Sequence, residues 1–169
     1  MKIGIFSDTH DNLPLIREAI NIFNSEDVEL VIHCGDFVSL FVVKEFKELG
    51  CPILAVYGNN DGEKAKLREW LKDINKDNEI DEFLAVEIDD LKFFITHGHY
   101  NTVLDTAINS GLYDIVVYGH THKKVFESIN NTLVINPGEC CGYLTGEATI
   151  GILDTKSKEY KEYRLGEEE

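Results

Sequence analysis

Two apolar patterns alternate along this chain: short continuous runs bounded by turn residues, and residues recurring every three or four positions. "KIGIFS" is a compact apolar run and predicts a buried strand. "DNLPLIREAINIFN" follows, with Asn12 placed as an N-cap, Pro14 in the first turn, and Ile16, Ala19, Ile20 and Phe23 at helical spacing. "VELVIH" predicts a second strand, "LFVVKEFKELG" a helix that Gly50 terminates, and "PILAVYG" a third strand. "GEKAKLREWLKDIN" puts Leu67, Trp70, Leu71 and Ile74 on one helical face. Strand and helix therefore alternate three times, which implies a parallel sheet covered by helices.

After residue 80 the rhythm changes. "FLAVEI" and "LKFFIT" predict strands joined through a hairpin turn at Asp89–Asp90, and "NTVLDTAINSG" predicts a helix. "YDIVVYG", "KVFESI", "TLVIN", "ATIGILD" and "KEYKEYRL" predict a closing series of strands, with Asn130–Asn131 as a second turn. No linker, internal repeat or composition break interrupts the series. The expectation is one domain over residues 1–164 containing two sheets, with residues 165–169 a frayed acidic tail.

A length of 169 residues suits a single domain with a sizeable core. The net charge of −15 is what changes the picture, because affinity for a polyphosphate depends on Lys and Arg displacing counterions. With only Arg17, Arg68 and Arg164 as arginines, the chain has no basic stripe, which argues against nucleic acid and anionic membranes as partners. Cys34, Cys51, Cys140 and Cys141 form no C-x-x-C pair. The start turns polar after six residues, too early for a signal peptide, and no apolar run approaches the ~20 residues of a membrane span. The chain reads as a reduced cytoplasmic protein with free thiols, and nothing in the pattern indicates a homo-oligomer.

Polar residues at the strand ends carry the candidate chemistry. The first strand runs into Asp8-Thr9-His10, the second into His33-Cys34-Gly35-Asp36, and the third into Gly58-Asn59-Asn60-Asp61. "LKFFIT" runs into His97-Gly98-His99, and "YDIVVYG" into His120-Thr121-His122. Ligands of open α/β sheets bind at the carboxyl ends of strands, where all five of these segments lie. Residues at i and i+2 of an extended segment point the same way, so Asp8 can join His10, and His120 can join His122. Taken singly each pair is ordinary: Asp8-Thr9-His10 reads as a helix-capping loop, His120 and His122 as strand-end polar residues, His33 as a hydrogen-bonded core residue. Taken together, two Asp, one Asn and four His offer mixed oxygen and nitrogen donors suited to a borderline divalent metal rather than to calcium or structural zinc.

In this order, D-x-H, G-D, G-N-x-D, H-G-H and G-H-T-H resemble the motif set of the calcineurin-like metallophosphoesterases. "INPG" at 135–138 and the small size are similar to the compact archaeal and bacterial phosphodiesterase branch. The resemblance implies an α/β fold in which two β-sheets pack face to face between flanking helices, a four-layer α-β-β-α sandwich. It also implies two divalent ions at the strand ends, Mn or Ni foremost, with Fe or Zn as further options. By position, Asp8, His10, Asp36 and His122 would hold one ion, and Asp36, Asn59, His97 and His120 the other. The implied activity is hydrolysis of small phosphodiesters by a hydroxide bridging the ions, with Asp36 and Asn59 in the catalytic centre.

One departure from the family pattern bears on mechanism. "GNND" places Asn60 where many relatives carry a histidine that protonates the leaving group, and Asn cannot supply a proton. Asn60 and His99 are the expected substrate contacts, with His99 a candidate substitute acid and a supporting position behind the ligands its alternative. No arginine accompanies the motifs, although Lys123 and Lys124 lie nearby in sequence, which favours a singly charged diester over a monoester. The alternatives are a non-catalytic interaction scaffold resembling the retromer subunit, a nuclease, or a phosphomonoesterase.

Overall fold

The computed structural model describes residues 1–166 and builds them as two sheets between two helical layers. The first sheet holds β1 (Lys2–Phe6), β2 (Leu30–His33), β3 (Ile53–Val56) and β4 (Glu79–Asp81), with β10 (Ala148–Asp154) and β11 (Tyr160–Leu165) on the other side of β1. From β1 to β4 the strands run parallel, while β10 and β11 pair antiparallel. The second sheet runs β5 (Phe83–Ile88), β6 (Leu91–Thr96), β7 (Ile115–Val117), β9 (Thr132–Asn136) and β8 (Val125–Ile129). Here β6, β7 and β9 are parallel. Asp89 and Asp90, like Asn130 and Asn131, have positive φ at both turn positions, the twist that two-residue hairpins favour.

Strand periodicity sorts the core into layers. Ile3 and Ile5 of β1, Ile95 of β6, and Ile115 and Val117 of β7 point into one apolar layer between the sheets. Phe6, Val31 and Ala55 point the other way, onto α1 (Leu13–Ser25), α2 (Lys64–Ile74) and the 3₁₀ segment Leu40–Glu48. Phe94, Val116 and Val134 face away from the second sheet onto α3 (Asn101–Asn109), where Ala107 and Ile108 cover them. The four-layer sandwich is therefore helix, sheet, sheet, helix.

Several local expectations are corrected. The helix expected in "LFVVKEFKELG" is present as a 3₁₀ helix, Leu40–Glu48, which buries Val42, Val43 and Phe46 and ends before Gly50. Asn12 sits at the N-cap position without capping; its side chain donates instead to the Cys141 carbonyl. The edge strand β4 has a single buried residue, Ile80, and so no alternation to reveal it. Trp70 is only half-buried on the face where Leu67 and Leu71 are enclosed. Leu165, assigned to the tail, closes β11 and is buried, and the Gly166 amide reaches Glu18, so order extends past residue 164. Residues 167–169 of that tail lie outside the described residues.

His33 is a fully buried core residue, as its place in β2 suggests. Its ring stacks on Phe37 at 3.6 Å, its Nδ1 accepts from the Gly35 amide, and its Nε2 meets the Thr9 hydroxyl. Burial drops its pKa to about 3. Because the unfolded chain takes up this proton more readily, stability is full above about pH 6.5 and falls as acid titrates the window toward 3.

Two measurements test these layers. Replacing Ile95, fully buried between the sheets, with Ala should cost about 2–5 kcal/mol in denaturant unfolding; a loss under about 1 kcal/mol would mean the layer is loosely packed. Between about pH 6.5 and about pH 4.5 the metal-free protein should lose roughly 2 kcal/mol more than its His33→Gln variant, and equal losses would show that His33 is not the titrating group.

Candidate metal centre

The parallel strands of both sheets end at one edge, and five loops carry the polar residues from there. Backbone bonds stitch those loops together: Asp8 N to Gly35 O at 3.0 Å, His10 N to Asp36 O at 3.1 Å, and Gly119 N to His97 O at 3.0 Å. Cys140 N and Cys141 N close the ring onto Ser7 O and Asp8 O. Two glycines set how closely the loops approach. A Cβ on Gly58 would lie 2.0 Å from Asp36 Oδ1, and one on Gly119 would lie 1.9 Å from Ser7 Oγ.

Within this ring the sequence-expected residues converge. Asp8 (0% exposed) and Asp36 (1%) are buried carboxylates. Asp8 Oδ1 lies 3.3 Å from His122 Nε2 and 3.8 Å from His10 Nε2. Asp36 Oδ2 stands 3.4 Å from both His10 Nε2 and His97 Nε2, midway between the two sides of the site. Asn59 Oδ1 lies 3.0 Å from His97 Nε2. The donors form two clusters, Asp8–His10–His122 and Asp8–Asp36–His97, within each of which the donor atoms lie inside 4.8 Å of one another. The His120 ring stands outside both, 5.0 Å from the His97 ring, although its backbone amide donates to Asp8 Oδ2.

Burial works against ionisation of both carboxylates, and the surrounding donors overcome it. The imidazoles of His10 and His122 beside it, with the charge of His97 and the Ser7 hydroxyl, leave Asp8 far below the usual carboxylate range. His97 and the Asn60 amide hold Asp36 at about 2 in the same way. The Asp8 carboxylate 3.3 Å away lifts His122 to about 9, and Glu139 adds to that lift. Burial lowers His99 and His120, and the charge of His97 lowers both further.

Not every expectation is met. Asn60, expected at the substrate, gives its backbone amide to Asp36 Oδ1 and its side-chain amide to Asp36 Oδ2, both at 2.8 Å. Its side chain adds a donor to a buried carboxylate that also faces His10 and His97. His99 sits on the His97 side, its ring 5.4 Å from that of His97 and packed on Tyr100 at 4.0 Å. Lys124 pairs with Glu147 and Glu162. Asp61, which the G-N-x-D motif includes without a role, and Glu139, which no motif includes, both support the site. Asp61 accepts the amides of Asp36, Val38 and Gly58 and so shapes the Asp36 loop. Glu139, directly after "INPG", accepts from His122 Nδ1; a buried acid following a strand-ending Pro-Gly was the available signal.

The donor set fits divalent ions on the structure's own terms. Asp8 Oδ1 and His10 Nε2, 3.8 Å apart in the first cluster, are buried polar atoms without a hydrogen-bond partner. Such atoms are rare in proteins, and a cation between them would satisfy both. Asp8, His10, Asp36, His120 and His122 all hold positive φ, a costly backbone state for residues with side chains and one that collects at functional sites.

Comparison with known proteins agrees with this geometry. Residues 1–158 match the calcineurin-like phosphoesterase superfamily domain. Phosphodiesterase MJ0936 of Methanocaldococcus jannaschii is 72% identical over 165 residues, spanning 98% of this chain and 99% of that protein. The solved structure of an archaeal phosphodiesterase superposes with a TM-score of 0.96 at 72% identity, covering 98% of this chain and all of that one. Zinc-complexed Vps29 from Entamoeba histolytica superposes at 0.72 with 18% identity over 97% and 91% of the two chains, a likeness of fold alone. This chain belongs to the calcineurin-like phosphoesterase superfamily.

Proposed function

We propose that this protein is a metal-dependent hydrolase of small phosphodiesters. The observation that carries the reading is the pair of neighbouring, unpartnered buried atoms, Asp8 Oδ1 and His10 Nε2, inside a converging set of oxygen and nitrogen donors. The highly similar relative known as a phosphodiesterase supports the substrate class.

Asp8, His10, Asp36 and His122 would hold one ion, and Asp36, Asn59, His97 and His120 the other. When bound, such ions lower the pKa of a shared water toward neutrality and stabilise charge on the phosphoryl oxygens. The chain's own contribution is orientation. His97 Nδ1 bonds the Cys34 carbonyl at 2.6 Å, which turns Nε2 toward Asp36 and Asn59. Asn60 and Asp61 brace Asp36 from two directions. His99, on the His97 side of the rim, is the residue we assign to the substrate. Because Asn60 cannot supply a proton, general acid help worth typically ~10²–10⁴-fold is left to His99 alone, so substrates with good leaving groups should react best.

Charge supports a diester over a monoester. Each arginine is paired with a carboxylate, Arg17 with Glu45, Arg68 with Asp81 and Arg164 with Glu147, and Lys124 is held by Glu147 and Glu162. A singly charged phosphate asks less of such a site. The acidic surface disfavours nucleic acid, and the scaffold alternative rests on fold likeness at 18% identity. Among the described residues no helix is long and apolar enough to cross a membrane, and the four free cysteines support a reducing, cytoplasmic setting.

Chelator-stripped protein should lose turnover of an aryl phosphodiester and regain it with Mn or Ni ahead of Fe and Zn. Asn59→Ala and His120→Ala should each lower kcat/KM by about 100-fold or more, with folding intact by circular dichroism. Activity that survives complete metal removal would overturn the reading, and monoesters turned over faster than diesters would overturn the substrate class.

A further inference from the structure

Glu139 has the surroundings of a residue that aims another. It stands three residues past the end of β9 in "NPGE", and its backbone is pinned by a bridge to Ala148 and by Thr149 N bonding its carbonyl at 2.9 Å. The carboxylate, in a residue 1% exposed, is saturated with donors. Oε1 accepts from the amides of Leu144 and Thr145 and from Thr145 Oγ1. Oε2 accepts from Cys141 Sγ at 3.3 Å, from the Leu144 amide at 3.2 Å, and from His122 Nδ1.

His122, Glu139 and Cys141 also lie close enough to resemble a third cation cluster. The donor list excludes that use. A carboxylate offers about four lone-pair sites, and all are taken here by N–H, O–H and S–H groups. What remains open is the opposite ring nitrogen of His122. That residue lies between β7 and β8 with φ of 59°, so no regular element fixes the direction of its ring. Its Nε2 nonetheless faces Asp8 Oδ1 at 3.3 Å.

We propose that Glu139 is the positioning residue of the centre: by taking the Nδ1–H of His122, it holds Nε2 as the free donor beside Asp8 and His10. The inference rests on the reading of those three residues as cation ligands. It matches a general pattern in which a ligating histidine gives its other N–H to a carboxylate, whose loss typically weakens metal binding ~10–100-fold. Glu139 has a second task, closing the 140–147 loop through Leu144 and Thr145, and the two tasks can be separated.

The test is calorimetric titration of metal-stripped protein with Zn²⁺, using wild type, Glu139→Gln and Thr145→Val, with circular dichroism to check folding. Wild type should bind two ions. Glu139→Gln should weaken one of them about 10–100-fold and leave the other within about two-fold. Thr145→Val, which removes only a loop donor to Oε1, should leave both within about two-fold. Long-range ¹H–¹⁵N spectra of zinc-loaded wild type should show the His122 proton on Nδ1, a reading that needs no variant to fold. Equal binding by wild type and Glu139→Gln, an equal loss in Thr145→Val, or zinc on Nδ1 would each overturn this inference alone. A wild type that takes up no zinc would overturn the site reading and this inference together.

Discussion

Two carboxylates buried side by side, Asp8 and Asp36, are the constraint around which the strand-end loops are arranged. A buried charge is expensive unless paired and hydrogen-bonded, and two like charges in one site are more so. The chain surrounds them with donors: Ser7 Oγ and His120 N on Asp8 Oδ2, Asn60 N and Nδ2 on Asp36, and the imidazoles of His10, His97 and His122 between them. One oxygen, Asp8 Oδ1, is left without a hydrogen-bond partner, and it points at the histidines. A structure that satisfies every other oxygen of this pair and leaves that one open is organised around an electrophile.

The same constraint explains why the loops are strained and why glycines stand beneath them. Holding five donor-bearing residues at positive φ costs of order 1 kcal/mol or more each, which only a rigid frame can sustain. That frame is the apolar layer between the sheets together with the backbone bonds that tie loop to loop. Gly58 and Gly119 carry no Cβ because Asp36 Oδ1 and Ser7 Oγ already occupy the space a Cβ would need. Packing in the middle of the molecule and placement of the donors at its edge are thus a single problem for the chain.

Much of this is legible in the sequence, and unevenly so. Strands such as "KIGIFS" and "LKFFIT" announce themselves because burial on both faces forces continuous apolar runs. The edge strand β4 does not, since one buried residue leaves no pattern. A helix at Leu40–Glu48 is legible but its 3₁₀ form is not, because apolar spacing reports which face is buried, not which carbonyl each amide selects. In the site, the D-x-H, G-D and G-H-T-H residues stand out by type and spacing. The partners of those residues do not. Asn60 was assigned to the substrate, and its bond to Asp36 depends on the turn of a loop. Glu139 is one acid among thirty-one acidic residues, and only the fold brings it to His122.

A net charge of −15 on a protein proposed to bind phosphate is less contradictory than it looks. Surface charges act through water and salt, which screen them beyond about 10 Å, whereas the centre lies in a buried setting where screening is slight. Two divalent ions would bring four positive charges against two from Asp8 and Asp36, leaving a local excess that a single phosphate meets at contact distance. The acidic exterior acts at longer range and on larger bodies, and an extended polyanion would meet it along its whole length. With the proposed ions in place, the charge distribution would select by size, leaving the centre open to a small phosphoester and opposing a long nucleic acid.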